Sequence, residues 1–270
     1  MSVLSRPEFH NEEAAYAYVE ARIWANGRMC PHCGECERTA KLGGKSTRIG
    51  VYKCYSCRKP FTVKIATIFE ASHVPMNLWL QAIYLMCTSK KGISSNQLHR
   101  ILGVTLKTAW FMAHRIREAM RDDSHAGFGV GGHVVEVDKT FIGREPGMEK
   151  KAAYHHKMRV LTLVDRANGR AKSMVVDDLK IKTLMPIILE NIAKEATLYT
   201  DEASHYTRIG CGFAHHDFTT HKAGEYVRGE VHTNTIEGFF SIFKHGMKGV
   251  YQHCGKGHLH RSYARKLVTL

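Results

Sequence analysis

The feature that most restricts how this chain can fold is a pair of CxxC motifs near its N-terminus. The first motif contains Cys30 and Cys33, and the second, after a spacer of about 20 residues, contains Cys54 and Cys57. Two such motifs present four thiolates to one ion, which is the ligand set of a tetrahedral structural Zn(II) site. The segment has few apolar residues from which to build a core, so we expect zinc to supply much of its folding free energy. The pattern predicts a zinc ribbon.

Two other interpretations of these cysteines stay open, a redox pair and unrelated buried thiols. His32 and Cys36 lie close enough in the sequence to replace one of the four ligands. The remaining cysteines have no partner at ligand spacing, and we interpret them as buried or incidental thiols. They are Cys87, Cys211 and Cys254.

The charge of the chain favours a polyanionic partner. Its 270 residues carry a formal net charge of +14, and Lys and Arg side chains bind phosphates with release of counterions. The basic residues are spread along the chain, which favours a folded binding surface over a disordered arm. No apolar run approaches the roughly 20 residues that span a bilayer, and the N-terminus lacks the pattern of a signal peptide. We therefore expect a cytoplasmic protein with reduced thiols and no membrane partner.

Residues 93–121 have the pattern of two short helices joined by a tight turn. Ser94 or Ser95 can cap the first helix, Gly103 permits the turn, and Thr105 can cap the second helix. The second helix has an apolar stripe formed by Ala109, Met112, Ile116 and Ala119 or Met120. The basic candidates for DNA binding, which lie largely off this stripe, are Lys107, Arg115, Arg117 and Arg121. The pattern predicts a helix-turn-helix; the alternative is an ordinary three-helix bundle with a solvated basic face.

The hydrophobic periodicity changes along the chain. Residues 10–25 have the pattern of an amphipathic helix whose apolar face contains Ala14, Tyr18, Ala21 and Trp24. After the glycine-rich stretch 127–132, β-branched runs predict strands near 134–137, 160–164, 173–176 and 196–199, with a helix near 180–194. This mixed order of strands and helices suggests an α/β domain in the C-terminal half.

Three acidic residues of this half are candidate metal ligands. Asp138 and Asp201 each close a strand-like run, VVEVD and ATLYTD, and ligands gather where the strands of an α/β sheet end. Glu237 follows in a segment with helical spacing and a plausible cap at Thr233 or Thr235. Three carboxylates brought together can hold two Mg(II) ions, which can cut and rejoin a phosphodiester backbone. Lys244 lies two helical turns beyond Glu237 on the same face, where we expect it to contact a DNA phosphate.

Other polar residues compete for these roles. Asn234 is an alternative or additional metal ligand beside Glu237, and we interpret His232 as structural. Asp165 precedes an Asn-Gly turn and has the pattern of hairpin chemistry. Asp177 and Asp178 are either surface groups or a displaced second ligand. We interpret the other paired or C-terminal histidines as solvated or DNA-facing: His155, His156, His215, His216, His258 and His260.

In this order the motifs resemble a known family, the bacterial insertion-sequence transposases of the DDE type with an N-terminal zinc ribbon (the ISXO-like group). The resemblance runs from residue 15 to residue 260 or so and is carried by CPHCG, ILGVTLKTAW, VVEVDKTFIGR, LYTDEASHY and HTNTIEGFFSIFKHG. It implies a polynucleotidyl transferase with an RNase H-like fold and strand cleavage and transfer dependent on Mg(II) or Mn(II). It also implies a homo-oligomer bound to double-stranded DNA, both element ends and target, in the bacterial nucleoid. The resemblance maps the metal-binding triad onto Asp138, Asp201 and Glu237, with Asn234 as the alternative because the third acid varies in this family.

We therefore expect a multidomain α+β protein. Its predicted parts are residues 1–72 with the zinc ribbon, residues 73–126 with a helix-turn-helix bundle, and residues 127–270 with an RNase H-like α/β catalytic domain. The closing sequence RSYARKLVTL departs from the aromatic-rich helix usual in the family, so we expect a truncated C-terminus. The alternative function is a catalytically inactive zinc-ribbon and helix-turn-helix DNA-binding remnant or regulator. A third candidate is an RNase H-like nuclease without strand transfer.

Overall fold

The chain forms two compact units, Met1–Ile116 and Arg117–Leu270. The computed structural model describes residues 2–120, 127–201, 209–219, 227–252 and 254–263. Two units of different secondary structure agree with a multidomain α+β protein, while the predicted boundaries at residues 72 and 126 stay predictions. Arg121 and the C-terminal residues 264–270, where we expected a truncation, lie outside the described residues.

The first unit combines a small antiparallel sheet with helices. The sheet has the order β1-β2-β3 and consists of β1 (Thr39–Lys41), β2 (Tyr52–Cys54) and β3 (Pro60–Phe61). The helices are α1 (Glu12–Ile23), α2 (Met76–Thr88), α3 (Ser95–Leu102) and α4 (Leu106–Ala119), at whose C-terminal end the second unit begins. Short 3-10 helices at Val3–Ser5 and Pro7–Phe9 precede α1. The aromatic core of the sheet is small: the rings of Tyr52 and Phe61 stack at 5.8 Å, and Trp24 packs edge-on against both.

Helix α1 forms where predicted, but its buried face differs from the predicted one. Asn11 caps the helix by accepting a hydrogen bond from the backbone N–H of Ala14. The buried residues are Ala15, Tyr16 and Val19, whereas the predicted face of Ala14, Tyr18, Ala21 and Trp24 is partly or fully exposed. The prediction of the face was wrong because small and aromatic residues occur on several sides of this helix. The Tyr16 ring decides the orientation, since it lies directly against Gly50, where an added Cβ would be 2.4 Å from the ring.

The predicted caps of the two short helices are present. Ser94 and Gln97 form a capping box at the start of α3, and Gly103 ends α3 in the left-handed conformation with a φ of 66°. Thr105 accepts a hydrogen bond from a backbone N–H in the first turn of α4. The predicted stripe is buried at Ala109, Met112 and Ile116, whereas Ala119 is exposed. The local chemistry of the turn was therefore predictable from the sequence.

The second unit is built on a five-stranded mixed sheet with the order β6-β5-β4-β7-β8. Central strand β4 pairs antiparallel with β5 and parallel with β7. The strands are β4 (Val134–Ile142), β5 (Met158–Asp165), β6 (Arg170–Val176), β7 (Thr197–Asp201) and β8 (His215–Thr219). The helices are α5 (Ile181–Asn191), α6 (Asn234–Gly246), which continues as a π-helical turn at Met247–Tyr251, and α7 (Lys256–Tyr263). Within the described residues, none of the helices combines the length and apolar character needed to cross a membrane.

Alternation along β4 assigns the two faces of this sheet to different cores. Val135 and Val137 pack with Leu184 and Ile188 of α5. Ile142 belongs to the opposite core, which contains Ile236, Phe239, Phe240 and Phe243 of α6. Because side chains alternate between the faces of a strand, Glu136 and Asp138 point to the α6 face. The sheet thereby turns the candidate catalytic residue Asp138 toward the helix that carries Glu237.

Two features of the second unit were missed by the sequence analysis. Strand β8 has the sequence HHDFT, which lacks the β-branched residues on which strand prediction depends. Its two histidines form part of the edge strand, and the ring of His216 contacts the Thr200 hydroxyl at 3.0 Å. A hairpin of β9 (Val227–Arg228) and β10 (Val231–His232) precedes α6 and is too short to give a periodic signal.

Candidate zinc and catalytic sites

The four predicted cysteine ligands form a compact cluster. The sulfur atoms of Cys30, Cys33, Cys54 and Cys57 all lie within 4.8 Å of one another. The two closest approaches join the motifs, at 3.8 Å between Cys30 and Cys57 and 3.6 Å between Cys33 and Cys54. Each motif thus contributes a pair of sulfurs to one small volume, as tetrahedral coordination requires. The cluster suggests a structural zinc ion.

The substitute ligands lie outside this cluster. The His32 ring approaches the Pro60 carbonyl at 3.4 Å, and the Cys36 thiol is directed to the Gly34 carbonyl. Cys87 and Cys211 are exposed and Cys254 is half-buried, so the expectation of incidental thiols fits them better than that of buried ones.

The crowding of the four thiols explains why a cation suits this cluster. The backbone hydrogen bond from Cys57 lowers the pKa of the Cys54 thiol to about 7, against the effect of desolvation. At Cys33 a backbone hydrogen bond from Glu35 favours the thiolate, but desolvation and the neighbouring cysteine side chains raise its pKa to about 12. The Cys54 thiol therefore ionises readily, whereas ionisation of the Cys33 thiol is unfavourable. A bound divalent cation would stabilise both thiolates.

Asp138 and Asp201 meet across the parallel pair of strands. Val137 of β4 pairs with Thr200 of β7, so the two aspartates follow side by side on neighbouring strands. Asp201 ends its strand as predicted, whereas β4 continues from Asp138 to Ile142. The expectation that Asp138 ends its strand was wrong because β4 extends into a long antiparallel pairing with β5. The parallel register of β4 and β7 places the carboxylates of Asp138 and Asp201 next to each other, at the C-terminal end of β7.

Negative charge exceeds positive charge around Asp138. Burial raises the pKa of Asp138 to about 7, and the nearby negative charges of Asp201 and Glu237 act in the same direction. The backbone hydrogen bond from Lys139 and its positive charge oppose this rise only in part. The Lys139 ammonium lies 2.7 Å from the Asp201 carboxylate and balances one of the acidic groups. These side chains suit a divalent cation, because a cation favours the ionised form of each carboxylate.

Glu237 lies in the first turn of α6 and is exposed. The Thr233 hydroxyl donates a hydrogen bond to its carboxylate at 3.1 Å. Asn234 and Lys244 are also exposed on this helix, and the Lys244 ammonium lies 5.8 Å from the centre of the Phe240 ring. The predicted residues therefore share a solvent-accessible surface of α6, and both candidates for the third ligand lie in the first turn of the helix.

The three carboxylates are less tightly gathered than the cysteines. Within the described residues, the cysteine cluster is the only group of three or more potential ligands whose donor atoms all lie within 4.8 Å. A two-metal site does not require such a cluster, because its ions lie about 3.5–4 Å apart and different ligands hold each ion. The negative charges of Asp201 and Glu237 both act on Asp138, which indicates that the two residues lie near it.

The competing aspartates have other partners. Asp165 accepts hydrogen bonds from the backbone N–H groups of Gly129 and Ala167, so it holds the β5–β6 turn as its sequence context predicted. Asp178 accepts hydrogen bonds from the backbone N–H of Lys180 and from the Thr183 hydroxyl, at the start of α5. Asp177 forms an ion pair with Lys256 at 2.8 Å. These contacts favour structural and surface roles for the three residues.

The candidate DNA-binding residues differ in their availability. Lys107 is exposed near the start of α4. The Arg115 guanidinium instead donates to the backbone carbonyls of Ile68 and Glu70, and Arg117 is buried beneath the Tyr251 ring. The sequence analysis missed Trp110, which is 49% exposed on the same helix and packs against His114. Helical spacing from Lys107 could have identified it, because residues three apart share a helix surface.

We expect Cys30→Ser to reduce the zinc content of the purified protein from one ion per chain to well below one. The loss of one of four thiolates weakens coordination and, with it, the stability of a segment that has only a small aromatic core. Elemental analysis and thermal unfolding of the first unit would measure both effects. Cys36→Ser is the matched control, because Cys36 is exposed and outside the cluster. Equal zinc content in the two variants would contradict the assignment.

We expect Asp138→Asn to stabilise the second unit at pH 8 when no Mg(II) or Mn(II) is present. Because the folded state raises the pKa of Asp138 to about 7, its contribution to stability is complete below the ordinary value of 3.8 and is lost as the pH rises through about 7. The variant should gain roughly 1–4 kcal/mol at pH 8 and almost nothing at pH 4. Urea unfolding at both pH values measures the difference.

Asp178→Asn is the control for this titration. Hydrogen bonds from Thr183 and Lys180 lower the pKa of Asp178, so its removal should destabilise the unit at pH 8. A gain in stability that is the same at pH 4 and pH 8 for Asp138→Asn would contradict the electrostatic explanation.

Comparison with known proteins identifies the family. The family model of the ISXO2-like transposase domain matches residues 129–268, and that of the transposase zinc-ribbon domain matches residues 10–60. The chain is 26% identical over 249 residues to an uncharacterized protein in transposable element ISH50 of Halobacterium salinarum, covering 87% of this chain and 82% of that protein.

A solved structure, the simian T-cell lymphotropic virus intasome in complex with PP2A regulatory subunit B56 gamma, contains a chain with 13% identity and a TM-score of 0.33. The match covers 63% of this chain and 63% of that chain, so the present chain spans less than two thirds of its length. The transposase-domain match spans more than half of the 270 residues. The chain belongs to the ISXO2-like transposase family.

Proposed function

We propose that this protein is a DNA transposase that binds the terminal inverted repeats of its element and catalyses strand cleavage and strand transfer with two Mg(II) or Mn(II) ions. The observation that carries the proposal is the meeting of Asp138 and Asp201 on parallel strands, on the sheet face covered by the helix of Glu237. The mixed order of the five strands supports the RNase H-like assignment. Family membership supports a polynucleotidyl transferase.

In this proposal the chain supplies ligands, orientation and charge. Asp138, Asp201 and Glu237 would hold the metal ions, and the Lys139 ammonium, 2.7 Å from the Asp201 carboxylate, supplies positive charge beside them. When bound, two divalent ions activate the attacking hydroxyl and stabilise the leaving oxygen of the phosphodiester. Lys244, exposed on the Glu237 side of α6, is available to hold a DNA phosphate. Joining two element ends also requires a homo-oligomer.

DNA binding is assigned to the helix pair α3–α4. The capping box at Ser94 and the left-handed Gly103 support a helix-turn-helix, in which the N-terminal residues of the second helix enter the major groove. The exposed residues at this end are Leu106, Lys107 and Trp110. We assign phosphate or base contacts to Lys107 and Trp110, and structural roles to Arg115 and Arg117, whose guanidinium groups are engaged within their own units.

The competing functions are less well supported. A DNA-binding remnant would not need the acidic environment that raises the pKa of Asp138 at a cost in stability. A nuclease without end recognition would not need a separate helix pair with an exposed tryptophan and lysine. Both remain distinguishable by the products they form on DNA.

We expect purified protein to cleave and transfer a DNA duplex that carries the flanking element end when Mg(II) or Mn(II) is added. Asp138→Asn and Asp201→Asn should reduce both products to background while DNA binding persists. Asp178→Asn, which removes a carboxylate bonded to Lys180 and Thr183, should retain activity and is the matched control. Comparison of Glu237→Gln with Asn234→Ala decides the third ligand. Binding without cleavage by the wild type would favour the remnant, and cleavage without transfer would favour the nuclease.

We expect Lys107→Ala to weaken DNA binding and to reduce the slope of log affinity against log salt by about 0.9, the value for one phosphate contact. Trp110→Ala should weaken binding with little change in this slope, because the indole carries no charge. Lys182→Ala, an exposed lysine on α5, is the control. Arg115→Ala should lower thermal stability and leave the slope unchanged. Fluorescence anisotropy over a range of salt concentrations makes the comparison, and an unchanged slope in Lys107→Ala would contradict the assignment.

A further inference from the structure

We propose that Glu136 is a positioning residue that, through Arg166 and the first turn of α6, fixes Glu237 relative to Asp138. The inference rests on the proposed function, since it concerns the geometry of the same metal site. It adds a residue that touches neither DNA nor the reacting atoms. Glu136 is the one fully buried acidic side chain on β4 within the described residues, and the proposal explains why it is there.

Both carboxylate oxygens of Glu136 have partners, although the side chain is 0% exposed. Oε2 accepts a hydrogen bond from the backbone N–H of Ile236 at 2.8 Å, and Oε1 accepts from Arg166 Nε at 2.5 Å. A buried charge requires this degree of satisfaction, because removal of either partner leaves an uncompensated group. The two bonds point in different directions and therefore restrain two different segments.

The bond to Ile236 replaces a cap that α6 does not provide for itself. Thr233 occupies the N-cap position but makes no side-chain bond to the helix backbone, and its hydroxyl donates to Glu237 instead. The first turn of a helix leaves backbone N–H groups without partners, and its positive end favours a negative charge. Glu136 supplies that charge from a strand 100 residues away in the sequence. The start of α6 is thereby attached to the strand that carries Asp138.

Arg166 extends the restraint to the segment that leads into α6. One terminal nitrogen of its guanidinium donates to the Glu230 carbonyl, and the other donates to the carbonyl and to Nδ1 of His232. Because a guanidinium can only donate, His232 Nδ1 must act as the acceptor. The Arg166 cation also lies over the Tyr199 ring of β7, at 5.0 Å from its centre. A single side chain thus connects the β5–β6 turn, β7 and the β9–β10 hairpin.

The position of these contacts links them to the metal site. Glu136 lies two residues before Asp138 and on the same face of β4, while Ile236 immediately precedes Glu237. Tyr199, beneath Arg166, lies two residues before Asp201 on β7. The contacts of Glu136 and Arg166 therefore reach all three elements that carry a proposed metal ligand, in each case within two residues of that ligand. A buried ion pair is weak evidence for stability by itself, and its best attested use is to fix one arrangement among several.

The test compares Glu136→Gln with Asp165→Asn in zinc-loaded protein without DNA. Arg166 Nε and the Ile236 N–H bond different oxygens of Glu136, and in glutamine an NH2 donor replaces one of these oxygens, so one of the two donors loses its acceptor. Asp165 is a matched control because it is 1% exposed, lies in the same sheet and accepts backbone hydrogen bonds, yet its partners are Gly129, Ala167 and Asn168 and not α6. The readouts are Mn(II) affinity by calorimetry, hydrogen exchange of the first turn of α6, and the unfolding midpoint in urea.

We expect both variants to lower the unfolding midpoint, but only Glu136→Gln to weaken Mn(II) binding, by roughly 10–100-fold. It should also accelerate exchange of the Ile236 amide, while Asp165→Asn leaves exchange in α6 unchanged. An affinity in Glu136→Gln equal to that in Asp165→Asn would overturn the positioning role. Asp138→Asn is the reference: if it binds Mn(II) as tightly as the wild type, the metal site of the proposed function is itself refuted.

Arg166→Lys keeps the test decisive if Glu136→Gln does not fold. Lysine retains a positive charge beside Glu136 but lacks the planar fork that joins it to His232 and Glu230. We expect weaker Mn(II) binding and faster exchange in the first turn of α6, with a smaller change in the urea midpoint. Wild-type affinity in this folded variant would overturn the proposal.

Discussion

The contact on which the second unit depends is the ion pair of the buried Glu136 with the half-buried Arg166. The two faces of the sheet build separate cores, one with α5 and one with α6, and apolar packing is non-directional. Packing alone can hold α6 on the sheet, but it specifies poorly how far the helix slides along its own axis. A carboxylate that accepts the Ile236 N–H specifies this position to within the length of a hydrogen bond. The location of Glu237 follows from that bond, because Glu237 is the next residue in the helix.

The same unit tolerates an arrangement that opposes its own stability. Asp138 lies in an environment of low solvation and negative charge, and its pKa of about 7 records the unfavourable free energy of its ionised form. The ion pair of Lys139 with Asp201 offsets part of this repulsion. Perturbed carboxylates of this kind are concentrated at functional sites, although structural networks also produce them. At Asp138 the raised pKa comes mainly from burial, and the strand register adds the negative charge of Asp201, so the functional explanation accounts for both features.

The sequence predicts those structural features that are determined by residues close together in the chain. The CxxC motifs, the capping box at Ser94 and the long strands β4 to β7 are specified by neighbouring residues, and the structure contains all of them. The orientation of α1 was predicted wrongly because it depends on the contact of Tyr16 with Gly50. The internal engagement of Arg115 and Arg117 has the same origin, since distant carbonyls and a distant tyrosine occupy their guanidinium groups. Glu136 was missed because a single glutamate in an apolar strand does not reveal its partners.

Contacts of basic side chains within the protein also limit what can be inferred about DNA binding from the net charge. The formal charge of +14 predicts the sign of the partner's charge, but some of the basic side chains are engaged within the protein. Arg115 donates hydrogen bonds to backbone carbonyls, Arg166 forms an ion pair with Glu136, and Lys139 forms one with Asp201. Electrostatic affinity for DNA depends on the phosphates that the protein neutralises and not on its total charge. Fewer basic groups are therefore available to phosphates than the composition suggests, and the exposed lysines to which we assign DNA contacts are Lys107 in the first unit and Lys244 in the second.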